Sequence, residues 1–112
     1  MIKLKGLKPS LREKKRYIVY KVDSSEKVNM FSFQESLIKK LAEMLGIFTP
    51  AGLIPVKFNN KTKQGIIRVN HTAVDLVRSC FVLINRINQT QVSIHTSRVT
   101  GVLKIANESL EG

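Results

Sequence analysis

The feature that most constrains this chain is a change of apolar period, from two to about 3.6, that occurs twice. Tyr17-Ile18-Val19-Tyr20-Lys21-Val22 is β-branched and aromatic, with apolar groups on both alternating faces, the pattern of a central strand. The loop residues "DSSEKVNM" follow, and then Leu37, Ile38, Leu41, Ala42 and Leu45 recur at spacings of three and four. That spacing predicts a helix over 32–45, with Ser32-Phe33-Gln34-Glu35 as its capping box and Gly46 as its stop. The period returns to two over 52–58, where Ile54, Val56 and Phe58 share a face. Pro50 and Pro55 lack amide donors, which places this strand at a sheet edge. The turn "NNKTKQG" joins it to the strand 65–70 as a hairpin. Thr72-Ala73-Val74-Asp75 then caps a second helical stripe of Ala73, Leu76, Val77, Cys80, Leu83, Ile84 and Ile87. In the last strand, 91–97, Val92, Ile94 and Thr96 point inward, while Gln91, Ser93, His95 and Ser97 point outward.

The order β-α-β-β-α-β predicts an α+β, ferredoxin-like and RRM-like sandwich: a four-stranded antiparallel sheet with two helices on one face, the other face left for a partner. The length of 112 residues suits one domain. It divides into a basic N-terminal arm (1–16), a core (17–97) and a C-terminal extension (98–112).

Charge narrows the class of partner. The net charge is +11, and Lys3, Lys5, Lys8, Arg12, Lys14, Lys15 and Arg16 against Glu13 place more than half of it in the arm. Such a balance points to a polyanion. Because the cations run directly into Tyr17 with no linker, they are aimed relative to the sheet, whereas a floppy tail would only attract. No apolar run approaches the roughly 20 residues that span a bilayer, and no apolar segment follows the N-terminal basic residues, so a soluble, cytoplasmic protein without a membrane partner is expected.

Candidates for catalysis are sparse. Cys80 is the single cysteine and lies within a helical apolar stripe, where a small buried hydrophobe is the simpler reading. His71 and His95 lack metal-ligand spacing and acidic neighbours in sequence, and Glu35 and Asp75 stand at helix caps. The loop "DSSEKVNM" has neither the Gly nor the Arg of an acylphosphatase phosphate cradle. Base stacking of the RNA-recognition-motif kind is disfavoured, because "GIIRVN" has no aromatic to join Tyr17 and Tyr20. The sheet suits phosphate and protein contacts better: Tyr17, Val19 and Ile66 toward a partner protein, Lys21 and Arg68 toward charge.

Three segments in register also resemble one family. Pro9-Ser10-Leu11-Arg12-x-Lys14-x-Arg16-Tyr17-Ile18, Thr62-Lys63-Gln64-Gly65-Ile66-Ile67-Arg68 and Val99-Thr100-Gly101-Val102-Leu103-Lys104 are similar to the opening, the hairpin and the post-strand element of archaeal ribonuclease P protein component 2, which has eukaryotic ribonuclease P/MRP relatives. The resemblance implies an accessory subunit of an RNA-catalysed endoribonuclease that removes the 5′ leader of precursor tRNA. It implies ribonuclease P RNA and protein component 3 as partners, precursor tRNA indirectly, and room for a homodimer within a larger heteromer. It implies no cofactor in this chain, Mg²⁺ being used by the RNA. The RNA-contacting residues expected on this reading are Lys8, Arg12, Lys14, Lys15 and Arg16, followed by Arg68, Arg98 and Lys104. Relatives continue past the last motif into a basic helix, whereas this chain reads "IANESLEG", short and acidic. The competing readings are a generic RNA- or ribosome-binding module of the same fold, and a metabolite-sensing or enzymatic domain.

Overall fold

The strand that follows the basic arm lies in the middle of the sheet. A computed structural model describes residues 14–46 and 52–111. In it Lys15–Ser24 (β1) is followed by Met30–Leu45 (α1), Ile54–Asn59 (β2) and Gln64–Asn70 (β3). A 3₁₀ turn, His71–Ala73, leads into Val74–Leu83 (α2), then Arg86–Ile87 (β4), Thr90–Thr100 (β5) and Leu103–Glu111 (α3). The sheet order is β2-β3-β1-β5-β4, every pairing is antiparallel, and the proline-bearing β2 lies at an edge as expected.

The main core lies between the sheet and α1 and α2. Ile18, Tyr20 and Val22 of β1 meet Phe33, Leu37 and Leu41 of α1 and Val77, Cys80 and Phe81 of α2, all buried. Tyr20 packs against Phe81 with ring centroids 5.7 Å apart. On its other side Tyr20 lies over Gly65, where a Cβ would stand 2.8 Å from Cε1 and nearer still to Cζ and the hydroxyl. The glycine of the hairpin motif is therefore a packing requirement of its neighbour on β1, with which it is in register. Burial raises the Tyr20 phenol pKa, so it stays neutral.

Local chemistry departs from expectation at both helix starts. The α1 cap is Asn29, whose Oδ1 accepts from the amides of Phe31 (2.9 Å) and Ser32 (3.4 Å), while Asn60 Oδ1 accepts from Met30 N at 2.9 Å. Two asparagines thus satisfy three amides that a helix start leaves without partners, and Ser32 is inside the helix. The second helix starts through the 3₁₀ turn, with no side-chain cap bond at Ala73. It ends at Leu83, before Ile84 and Ile87 of the expected stripe, and Leu76 and Leu83 of that stripe are exposed.

Two features correct the predicted four-stranded, one-sided sandwich. A fifth strand, β4, folds back on β5 through Asn88 and Gln89, whose φ values of 51° and 67° suit a two-residue type I′ hairpin turn. The opposite sheet face is not left open either: α3 lies on it and buries Ala106 and Leu110 against Val19 and Ile66. β5 also runs to Thr100, beyond the expected end at 97. Its register against β1 passes from Tyr20↔Thr96 to Val19↔Arg98, so Ser97 is the extra residue of a bulge.

Candidate nucleic-acid interface

The expected cations meet at the end of the sheet where β1 begins. Lys8 and Arg12 lie outside the described residues. Lys14 is exposed, and its carbonyl accepts from His71 N at 2.8 Å, which fixes where the arm joins the fold. Lys15 is paired across the ladder with Asn70, and its ammonium donates to Asn70 Oδ1. Arg16 folds back, with Nη1 donating to Lys15 O at 2.9 Å, and lies close to Gly101, where a Cβ would be 3.3 Å from Nη1. The first and third motifs therefore touch, and the glycine leaves room for the guanidinium.

Arg68 and Arg98 flank β1 from either side. Arg68 is paired with Tyr17 and Arg98 with Val19, so side-chain alternation sends both to the α3 face. Arg98 is exposed. Arg68 is half-buried, and its Nε–H has no acceptor within the described residues. Lys104 is exposed in the first turn of α3, just after Thr100, which is paired with Tyr17. Thr100 Oγ1 accepts from Val102 N at 3.1 Å and orients the chain into that helix. The structure thus gathers Lys14, Lys15, Arg16, Arg68, Arg98 and Lys104 around one end of β1 and the start of α3. Arginine and lysine in such a group can neutralise successive phosphates without reading bases.

The partner-facing expectation for Val19 and Ile66 is overturned. Both are fully buried beneath α3, and only Tyr17, half-buried at the rim of that cluster, keeps exposed surface. The signal that could have revealed this is the spacing of Ala106 and Leu110, four apart on one helix face, preceded by Leu103. The acids of "IANESLEG" obscured it.

Elsewhere the geometry argues against a hydrolytic centre at a Ser-His-Asp grouping. Ser93 Oγ (3.1 Å) and Asp23 Oδ2 (3.3 Å) both approach Nε2 of His95. In a triad the histidine is the base, and the nucleophile and the orienting carboxylate occupy different ring nitrogens, so this cluster, more than half exposed at His95 and Asp23, cannot act as one. Burial raises the Cys80 thiol pKa, which keeps it protonated and unreactive. Among the described residues no group of three or more His, Cys, Asp or Glu could hold a metal ion, and no helix is long and apolar enough to cross a membrane.

Comparison with known proteins places this arrangement. The profile of the Rpp14/Pop5 family matches residues 16–111. Ribonuclease P protein component 2 of Pyrococcus horikoshii is 34% identical over 106 residues, covering 93% of this chain and 88% of that protein. The proteins of the same name from Methanosarcina mazei and Archaeoglobus fulgidus are 30% and 31% identical, covering 94% and 90% of this chain and 90% and 92% of theirs. A chain in the cryo-EM structure of yeast ribonuclease MRP superposes with a TM-score of 0.61 at 16% identity, covering 89% of this chain and 93% of that one, so the two share a fold.

Proposed function

The chain belongs to the Rpp14/Pop5 family, and from that premise we propose that it is a protein subunit of ribonuclease P that helps the catalytic RNA cleave the 5′ leader from precursor tRNA. The observation that carries the reading is the grouping of Lys14, Lys15 and Arg16 with Arg68, Arg98 and Lys104 about β1 and the start of α3 in a chain of this family. The cations screen repulsion between phosphates of the RNA's catalytic domain and hold it in its active shape. Protein component 3 binds alongside and completes the support. The divalent ions of the reaction, Mg²⁺, are assigned to the RNA. This chain's contribution is then positional: it lowers the cost of bringing phosphates together, and metal and substrate bind a preformed site.

Reconstitution tests this. Ribonuclease P RNA, this chain and component 3 are assayed for 5′-leader cleavage at moderate Mg²⁺, each component omitted in turn. Cleavage that depends on both proteins is expected. Tight RNA binding with no effect on cleavage would replace the proposal with a generic RNA-binding module. Alanine at Lys8, Arg12 and Lys14 should also flatten the salt dependence of RNA binding, by roughly 0.7–0.9 in log–log slope per lost phosphate contact.

A further inference from the structure

A second basic surface lies on the other side of the sheet. The flank of α1 that carries Ser36, Lys39, Lys40 and Glu43, spaced three and four apart, faces the β4–β5 hairpin. Together with Arg86, Ile87 and Asn88 it encloses an open groove of about 280 Å³. This groove belongs to the helical layer, whose core lies on the face of β1 opposite to α3, so it is separated by the sheet from the face that carries Arg68 and Arg98.

Three cations line the groove and one acid accompanies them. Lys39, Lys40 and Arg86 are all exposed, and within the described residues none of them forms an ion pair, not even Lys39 with Glu43 one turn away. The groove's walls are fixed relative to each other. Ser36 and Asn88 bond reciprocally, Oγ to Oδ1 at 3.1 Å and Nδ2 to Oγ at 2.9 Å, which ties the hairpin turn to the helix. Uncommitted cations held on two joined elements, with hydroxyl and amide groups between them, are complementary to a row of phosphates. They are poorly suited to an apolar partner, which would have to desolvate them.

We propose that this groove is a second binding site for the phosphate backbone of RNA, independent of the arm, so that one domain contacts two RNA segments on its opposite faces. The proposal rests on the ribonuclease P reading above. It extends that reading from one basic surface to two, and a subunit that screens repulsion between two RNA segments needs cations toward both.

The test measures binding of the full chain to ribonuclease P RNA across a salt series. The variants are K39A/K40A/R86A in the groove, K8A/R12A/K14A in the arm, and K57A/K61A/R78A, which removes the same charge from exposed positions outside both sites. Circular dichroism checks that each is folded. At roughly 0.7–0.9 per contact, the three-residue groove variant should lower the log–log slope by about 2.1–2.7 while the control leaves it near the wild-type value. Groove and arm losses should add when the two sets are combined, as for sites that share no partners. A groove slope equal to the wild type, or a control that falls as far as the groove variant, overturns the second site. If the arm variant still lowers the slope, the ribonuclease P reading survives that result. Loss of neither slope, in a chain that does not support cleavage, removes both.

Discussion

Leu110→Ala asks whether the last helix is part of the folded structure. Leu110 is 1% exposed in a cluster whose other members, Val19, Ile66 and Ala106, are at 0%. Truncating a buried leucine costs about 2–5 kcal/mol, the transfer of the lost atoms plus the cavity left behind. Two features set the expectation at the lower end. Among its described residues the nine-residue α3 is anchored by two fully buried side chains and can settle toward the cavity. The loss also cannot exceed the free energy that docks α3, because an undocked helix has nothing more to lose. The expected cost is therefore about 2–3 kcal/mol. With a urea m-value of about 1.5 kcal/mol/M, as for a small domain, the unfolding midpoint falls by roughly 1.3–2 M. Should α3 undock ahead of the rest, the m-value falls as well, and amides 106–110 exchange faster than those of β1. A shift below about 0.5 kcal/mol with an unchanged m-value would refute the reasoning, since Val19 and Ile66 would then not depend on α3 for their burial.

Three other substitutions have defined outcomes. Asn29→Ala should cost about 1 kcal/mol in thermal or urea melts, and Ser32→Ala no more than a few tenths, because the cap belongs to Asn29; equal costs would restore the capping box at Ser32. Gly65→Ala forces a Cβ into the Tyr20 ring and should cost about 1–3 kcal/mol, with a coupling of at least about 0.5 kcal/mol to Tyr20→Leu in a double-mutant cycle; strict additivity would sink that account. Tyr20→Phe should be close to neutral at pH 7, since among the described residues the buried hydroxyl makes no hydrogen bond of ordinary geometry and only the Gln34 side chain acts on it weakly. Its effect appears in alkali. The folded phenol ionises above the unfolded value of about 10, so stability is full below pH 10 and declines above it, by up to about 1.4 kcal/mol per pH unit. Urea midpoints at pH 9 and 11 should therefore fall further for the wild type than for Tyr20→Phe.

Much of the fold was legible because its signals are periodic. The β-branched runs in 17–22 and 65–70 mark strands buried on both faces, and the stripe containing Leu37 and Leu41 reports the one buried face of α1. What was missed had no periodic signal. Asn29 outcompetes Ser32 because Asn60, distant in sequence, supplies a further acceptor for the same helix start. The bulge at Ser97 is a property of the pairing with β1, and β4, at two residues, has no period to read. α3 was obscured because only Ala106 and Leu110 meet the sheet fully, too few apolar positions to outweigh the polar residues around them. That oversight also misplaced part of the candidate site, since Val19 and Ile66 were read as surface. Arg98 and Lys104 are exposed as a charged side chain usually is, although the sequence pattern placed Arg98 beyond the last strand, which runs through it to Thr100, and signalled no helix for Lys104.

The central place of β1 has a mechanical consequence. It is held by ladders on both sides, from Lys15 to Lys21 against β3 and from Tyr17 to Ser24 against β5. Tension applied to the residues before Lys14 enters the sheet along its middle strand. To yield, the strand must slip against two neighbours at once, with Tyr20 also wedged over Gly65. An edge strand would peel away one hydrogen-bonded pair at a time. On the ribonuclease P reading proposed above, RNA pulling on the residues before Lys14 would therefore load the whole domain and not a flap, and the domain would be its fixed point.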